Sequence, residues 1–513
     1  MDKLFCAMKM MRKLIICGGL WMAMAMVALA QPLPRSTPAA EGVAPQAVAR
    51  YFDSLLHIPQ TEIHHVMVLR HGKVIGELHP APFRARHAHT LYSESKTVAA
   101  LAVGLCVDDR LLRTSDRLIT FFPDKLPEHI SENLANITIH DLLTMESGIT
   151  PDWTMRSHST DWVWEMLHKA VNDAPGTKYQ YDSMCTYLLS AIVQRATGKT
   201  MMQLLTPRLF APMGITDAQW EECPHGINTG GWGLRLSAES QAKIGQLLLQ
   251  KGEWNGRQLV SKQWVETATS RQVYPYPEGS ANHTKSPGYG YQIWMCEHPG
   301  AYRADGALGQ FVVMLPHEDM VVVGNGASFQ AHFELSHIWN VLLPGVNDAP
   351  IAEDAAAQQR LEKLTQNAAL PLPKGKATPK KHRGTTVTVG DGDEALHLTF
   401  KPDGMLEYTY GGRTVAARRQ QWHYQTLDQN PPYSITAVAR LKGLSPAYTT
   451  AAAYAWKGNE LTIRTFWVDF ISGETITVKF TDNEKAQLTV QRNYQKQAAV
   501  SARMLPYTIT PNP

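Results

Sequence analysis

A hydroxyl and an amine stand three residues apart at Ser93 and Lys96, at the head of an apolar run from Val98 to Val107. On a helix, positions i and i+3 share a face, about 5–6 Å apart at Cβ. A serine becomes a useful nucleophile once a base lies within hydrogen-bond reach, and a desolvated lysine can be that base. At a helix N-terminus the serine also sits where backbone N–H groups and the positive end of the dipole meet a developing oxyanion. The tetrapeptide alone is equally met by an N-capping serine and a snorkelling lysine. The apolar run favours chemistry, because a helix that is apolar all round is buried and buried amines titrate abnormally.

A second stretch, Pro175-Gly-Thr-Lys-Tyr-Gln-Tyr181-Asp182-Ser183, runs from a turn into a helix beginning near Tyr187. It holds Tyr181 at a loop–helix junction. Beside an ammonium group a tyrosine is expected to ionise more readily, so Tyr181 reads as a general base and later a general acid. Asn228-Thr-Gly-Gly-Trp232-Gly233 is a glycine-rich loop without the spacing or lysine of a phosphate cradle. It reads as backbone packed closely beside a site, with Trp232 at the substrate.

These groups must be positioned by surrounding elements. Gln46–Leu56 reads as an amphipathic helix, and Val66–Ile75 as a hairpin turning at His71-Gly72. Ile137–Leu143 and Ser237–Leu249 read as helices. Tyr289–Trp294, Ala304–Leu315 and Met320–Gly324 read as three successive antiparallel strands. Period-2 alternation puts Ala304 and Gly306 on one face and Arg303 and Asp305 on the other, outer one.

Three ordered motifs, Ser93-Glu-Ser-Lys96, Tyr181-Asp-Ser183 and Ala304-Asp-Gly306-Ala307-Leu-Gly309, resemble those of the class C β-lactamase and penicillin-recognising serine hydrolases. Arg70-His-Gly-Lys73, His140-Asp-Leu-Leu-Thr-Met-Glu-Ser-Gly148, Pro175-Gly-Thr177 and Gly230-Gly-Trp-Gly233 are similar too, so the likeness spans roughly residues 40 to 345. It implies an α+β fold: an antiparallel sheet flanked by helices, with an inserted helical subdomain and the site in the cleft between. It implies further that Ser93 attacks a carbonyl, Lys96 and Tyr181 shuttle its proton, and the N–H groups of Ser93 and Ala307 form the oxyanion hole. No metal or cofactor is implied.

Two departures bear on the substrate. Ala304 replaces the lysine or histidine that opens the third motif, removing a cation that would hold a carboxylate. Ser183 replaces an asparagine that would contact a substrate amide, and it reaches less far. Both point away from β-lactam substrates and toward the esterases, aminohexanoate-dimer-type amidases and acyltransferases of this fold. Ser183, Gly306, Trp232 and Asp305 are the expected substrate contacts, and Asp305 would favour a cationic or hydroxylated substrate.

At 513 residues the chain is long enough for two to four domains, and its 44% hydrophobic and 19% charged composition is that of a folded globular protein. The net charge of +3 comes wholly from Lys3, Lys9, Arg12 and Lys13 less Asp2. The rest is neutral, which argues against nucleic acid or an anionic membrane surface. That basic start, the apolar Leu14–Val27 and Ala28-Leu29-Ala30 read as a signal peptide over 1–30, cleaved near Ala30, and so as export to the periplasm or medium. A hydrolase domain over 31–349 follows, then a helix and a basic, proline-containing linker over 350–383. Alternating runs over 384–513 read as a small antiparallel β-domain that shields one face or contacts envelope glycan.

Four cysteines follow residue 30, far apart and without a CxxC pair. Two of them read as small core residues, and a disulfide among the four stays open. Twenty histidines and the His87-Ala-His89 spacing invite a metal, but no carboxylate-bearing zinc motif accompanies them. The first reading is therefore an exported serine acyl hydrolase acting on a small ester or amide. The second is an acyltransferase passing the same acyl group to an alcohol, and the third a penicillin- or envelope-binding protein that does not turn over.

Overall fold

A computed structural model describes residues 31–481, 484–496 and 500–512. The leader expected over 1–30 lies outside the described residues, none of whose helices is long and apolar enough to cross a membrane.

The first half of the described chain is built on a six-stranded sheet. Its strands are β1 (Thr61–Arg70), β2 (Lys73–Leu78), β3 (Trp294–Met295), β4 (Tyr302–Gly306), β5 (Gln310–Leu315) and β6 (Met320–Ser328), in the order β2-β1-β6-β5-β4-β3. All neighbours are antiparallel. Alternation along the strands separates two cores. Met67, Leu69, Val312, Met314, Val321 and Val323 face the helical insertion, while Val66, Val68, Val313, Leu315 and Val322 face helix α1 (Pro45–Leu56). Helix α1 opens on Pro45 and buries Ala47, Val48, Tyr51, Phe52 and Leu55, a stripe of helical period.

Between β2 and β3 lie α2 (Ser95–Asp108), α3 (Ser183–Thr197) and α4 (Ala238–Leu249). Every residue of α2 from Ser95 to Cys106 is buried. The expected strand over Ala304–Leu315 is two strands, β4 and β5, because Leu308 and Gly309 take φ of +65° and +86° and turn the chain. Of Tyr289–Trp294 only Trp294 is in a strand. The Gln292 amide instead donates to the carbonyls of Leu142 and Leu143 and ties the segment to a helical turn over Ile139–Leu143.

Helix α5 (Ala355–Asn367) leads toward ten further strands. They are β7 (Thr385–Val389), β8 (Leu396–Phe400), β9 (Leu406–Tyr410), β10 (Arg413–Arg419), β11 (His423–Leu427), β12 (Tyr448–Lys457), β13 (Glu460–Trp467), β14 (Gly473–Phe480), β15 (Lys485–Arg492) and β16 (Ala502–Pro511). A parallel pairing of β10 with β12 closes them into a barrel packed with side chains. Barrel and first half share apolar cores: Tyr92 and Ala327 pack with Tyr433, Leu441, Leu444, Trp467, Phe470 and Ile471. A groove of about 970 Å³ also lies between them, walled by Glu62 and Arg464, and Ser93 is not among its lining residues.

Cys106, Cys185, Cys223 and Cys296 are all buried and free. The histidines form a cluster of paired rings: His64 Nδ1 lies 2.9 Å from His89 Nε2, and His65 Nδ1 lies 2.9 Å from His79 Nδ1. His87 Nδ1 accepts from the Arg84 N–H. Among the described residues no group of three or more His, Cys, Asp or Glu is arranged to hold an ion.

Burial, reinforced by neighbouring positive charge, pushes His87 down to about 4 and His89 down to about 3. His64 and His65 also fall well below the ordinary value. These rings are neutral in the fold but take up protons when unfolded, below pH ~6.5. Stability is therefore full above that pH and falls as the pH drops toward the folded values. Urea titrations at pH 7.5, 5.5 and 4.5 should show this fall, and it should flatten in a His64→Gln/His89→Gln variant. Equal slopes in both proteins would remove the cluster as its origin.

Candidate active site

Ser93 stands in a 3₁₀ turn, Tyr92–Glu94, that feeds directly into α2. Tyr92, immediately before it, takes φ of +48°, a left-handed conformation costly for a bulky side chain. A segment of the barrel holds it there. In the long loop between β11 and β12, Ser434 Oγ lies 2.7 Å from Tyr92 Oη, and the Tyr433 ring packs 5.9 Å from that of Tyr92. The same loop is anchored by Val438 N–H donating to the Arg156 carbonyl and Glu222 N–H donating to that of Lys442. Nothing in the local sequence of 428–447 announces this role. Ser434→Ala is expected to lower kcat several-fold with little change in KM, since it loosens the turn that carries Ser93 without touching the cleft. Unchanged steady-state kinetics would rule that bracing out.

Lys96 is completely enclosed. Its Nζ donates to Ser93 Oγ at 2.9 Å, to Ser183 Oγ at 2.7 Å and to the Gly231 carbonyl at 2.7 Å. Three acceptors match the three hydrogens of an ammonium group, while the neutral amine keeps two hydrogens and turns its lone pair to Ser93. Burial lowers the Lys96 pKa to about 7, against an opposing pull from Asp182. Asp182 caps α3 through a bond from the Met184 N–H, and this cap aims Tyr181 and Ser183 inward from adjacent positions.

Burial raises the Tyr181 pKa above the ordinary tyrosine value, against a smaller opposing influence of the Ser93 hydroxyl. This corrects the expectation of a favoured phenolate. Lys96 Nζ lies over the face of the Tyr181 ring, 4.8 Å from its centroid, and donates to other oxygens. Of the two groups, burial pulls Lys96 down to about 7 and pushes Tyr181 up, so that both neutral forms are favoured.

Two expected substrate contacts are placed elsewhere. Ser183 is buried and committed to Lys96; a side chain this short at the helix start reaches the amine and stops there. Trp232 is buried beneath Arg156, whose guanidinium carbon is 4.8 Å from its ring centroid. The glycine loop serves Lys96 through Gly231, where a Cβ would come within 2.4 Å of the Ser183 carbonyl oxygen. Ser183→Ala is expected to cost roughly tenfold in kcat/KM by leaving the amine one acceptor short. Wild-type rates in that variant would show that two acceptors suffice.

A cleft of about 330 Å³ opens over Ser93, lined by Tyr181, Tyr276, Trp294, Arg303, Asp305 and Ala307 among others. The strand alternation holds, but the faces are reversed from expectation. Ala304 is the buried neighbour of Thr97 and Val98, while Arg303 and Asp305 look into the cleft. Gly306 has no side chain to mark a face, and its backbone lies against the nucleophile's turn, where a Cβ would meet the Leu91 carbonyl oxygen at 2.2 Å. That contact sets Ala307 at the cleft beside Ser93.

A description of the β-lactamase family matches residues 48–334, more than half of the chain. The chain belongs to this β-lactamase family. The 6-aminohexanoate-dimer hydrolase of Paenarthrobacter ureafaciens is 25% identical over 310 residues, covering 56% of this chain and 79% of that enzyme. A lovastatin esterase of Penicillium rubens is 26% identical over 155 residues, 25% of this chain and 39% of that enzyme. A solved β-lactamase-like protein from Bacteroides dorei covers 58% of this chain and 99% of its own at 16% identity and a TM-score of 0.51, a likeness of fold alone. The family match ends before the barrel begins.

Proposed function

We propose that this β-lactamase-family protein is a serine acyl hydrolase that cleaves a small ester or amide through an acyl-enzyme on Ser93. The observation that carries the reading is the bond between the partly exposed Ser93 hydroxyl and a fully enclosed amine whose pKa has fallen to about 7. Half of such an amine is neutral at that pH. It accepts the Ser93 proton as Oγ adds to the carbonyl carbon. The N–H groups of Ser93 and Ala307 face the developing oxyanion. Lys96 then returns that proton to the leaving alkoxide or amine, while the Tyr181 phenol donates a hydrogen bond beside it. The net transfer runs from Ser93 to the leaving group, and water repeats the sequence in reverse to release the acid.

The lovastatin esterase and the aminohexanoate-dimer hydrolase among the relatives support ester and amide substrates. Intact-mass spectrometry after a fluorophosphonate, on wild type and Ser93→Ala, tests the nucleophile: the adduct is expected on the wild type alone. Equal labelling of both would remove Ser93 from its role. Product analysis of a p-nitrophenyl ester with and without added alcohol then separates hydrolysis from acyl transfer.

A further inference from the structure

Arg303 and Asp305 are the only ion pair whose two members both line the cleft over Ser93, among the described residues. The two members are used differently. Arg303 borders the cleft but is almost wholly enclosed, its side chain 8% exposed, and its N–H groups bond to protein acceptors. Nε donates to Asp305 Oδ2 at 2.6 Å, Nη1 to the Met295 carbonyl at 3.2 Å and Nη2 to Ser286 Oγ at 2.9 Å. Asp305 is 30% exposed, and only its Oδ2 is engaged in that pair. Asp305 lines the cleft, and its second oxygen accepts no hydrogen bond among the described residues.

Aromatic rings wall the same space. Trp294 stacks near Tyr276, 13° from parallel with centroids 6.2 Å apart, and near Tyr181, 26° from parallel at 5.9 Å. A carboxylate oxygen bordered by aromatic faces is the environment that an alkylammonium prefers to water: the charge meets an anionic acceptor, and its methylenes and C–H groups meet ring faces. A substrate carboxylate would meet a guanidinium already bonded to Asp305, to the Met295 carbonyl, to Cys296 Sγ and to Ser286.

We propose that Asp305, with the Tyr276 and Trp294 rings, is a cation subsite that selects esters or amides bearing a protonated amine. This rests on the Ser93 reading for the reaction, but the binding itself is independent of it. Arg303 is a positioning residue that fixes the Asp305 rotamer. The amine is bound as its ammonium, and no proton is transferred there.

The test pairs binding with turnover. Calorimetric titration of hexylammonium chloride, with 1-hexanol as the neutral match, should show the cation binding about tenfold more tightly, a preference lost in Asp305→Asn. Turnover of p-nitrophenyl 6-aminohexanoate over p-nitrophenyl hexanoate should follow the same ratio. In Asp305→Asn the aminoacyl ester should lose about tenfold more in kcat/KM than the hexanoyl ester does. Tyr276→Ala, which leaves the Arg303 pair intact, should reduce the same preference and serves if Asp305→Asn does not fold. No preference for the cation in wild type, or an equal loss for both esters, would overturn the subsite. Cation binding without turnover of either ester would leave the subsite standing and remove the hydrolase reading.

Discussion

Lys96→Ala is expected to lower kcat/KM by a factor on the order of 10⁴, the upper range for loss of a positioned proton acceptor. The pH profile of the wild type carries the same assignment. Lys96 must be neutral to take the Ser93 proton, and burial holds its pKa near 7, far below an exposed amine. Activity should therefore be low in acid and rise through a limb centred near pH 7, since kcat/KM reports the free enzyme's ionisations. Asp182 opposes the effect of burial by favouring the ammonium form. Asp182→Asn keeps a side-chain oxygen to cap α3 and removes that pull, so the limb should move to lower pH. A limb near pH 10, or one indifferent to Asp182, would assign the proton acceptor to another group.

The second large effect is steric. At Gly306 a Cβ would stand 2.2 Å from the Leu91 carbonyl oxygen and 2.9 Å from the Gln310 Cβ. Neither can retreat freely: the Leu91 N–H is bonded to Leu234, and the Gln310 amide donates to Ala307, Leu308 and Gly326 carbonyls. Gly306→Ala must push β4 away from the nucleophile's turn. The expected costs are about 2–3 kcal/mol in stability and about 10² in acylation rate, as Ala307 is displaced from the oxyanion. Thermal melts and the rate of fluorophosphonate labelling measure the two separately. A variant with wild-type labelling would mean that the oxyanion site does not depend on this approach.

Spacing and period made much of this legible. Ser93 and Lys96 at i and i+3 before an apolar run, and Tyr181 at a loop–helix junction, are local facts that long-range folding preserved. The hairpin at His71-Gly72 and the helices over 45–56 and 238–249 came from pattern in the same way. What escaped was set by tertiary context. Alternation separated Arg303 from Ala304, but only the packing of β4 against α2 decides which of them meets the cleft. Ser183 and Trp232 carry side chains suited to a substrate, and only the depth of Lys96 shows that they serve the amine and the core. The tyrosine's ionisation turned on burial outweighing a nearby amine, and a sequence does not reveal burial at one atom. The Tyr433–Ser434 brace joins positions some 340 residues from Tyr92, beyond any local signal.

That brace has a consequence for how the molecule comes apart. Tyr92 shares one apolar cluster with barrel residues Tyr433, Tyr448, Trp467 and Phe470, and a second cluster joins Phe83 to Phe466 and Val468. An interface made of common core is unlike the polar, mobile contacts usual between domains of one chain. The barrel and the hydrolase sheet should therefore melt in a single transition, and a ligand bound over Ser93 should raise the melting temperature of both. A fragment cut after residue 349 would expose Tyr92, Phe83 and Ala327 to water and lose the grip on the nucleophile's strained turn, leaving a chain with the catalytic triplet in its sequence and no catalyst in its fold.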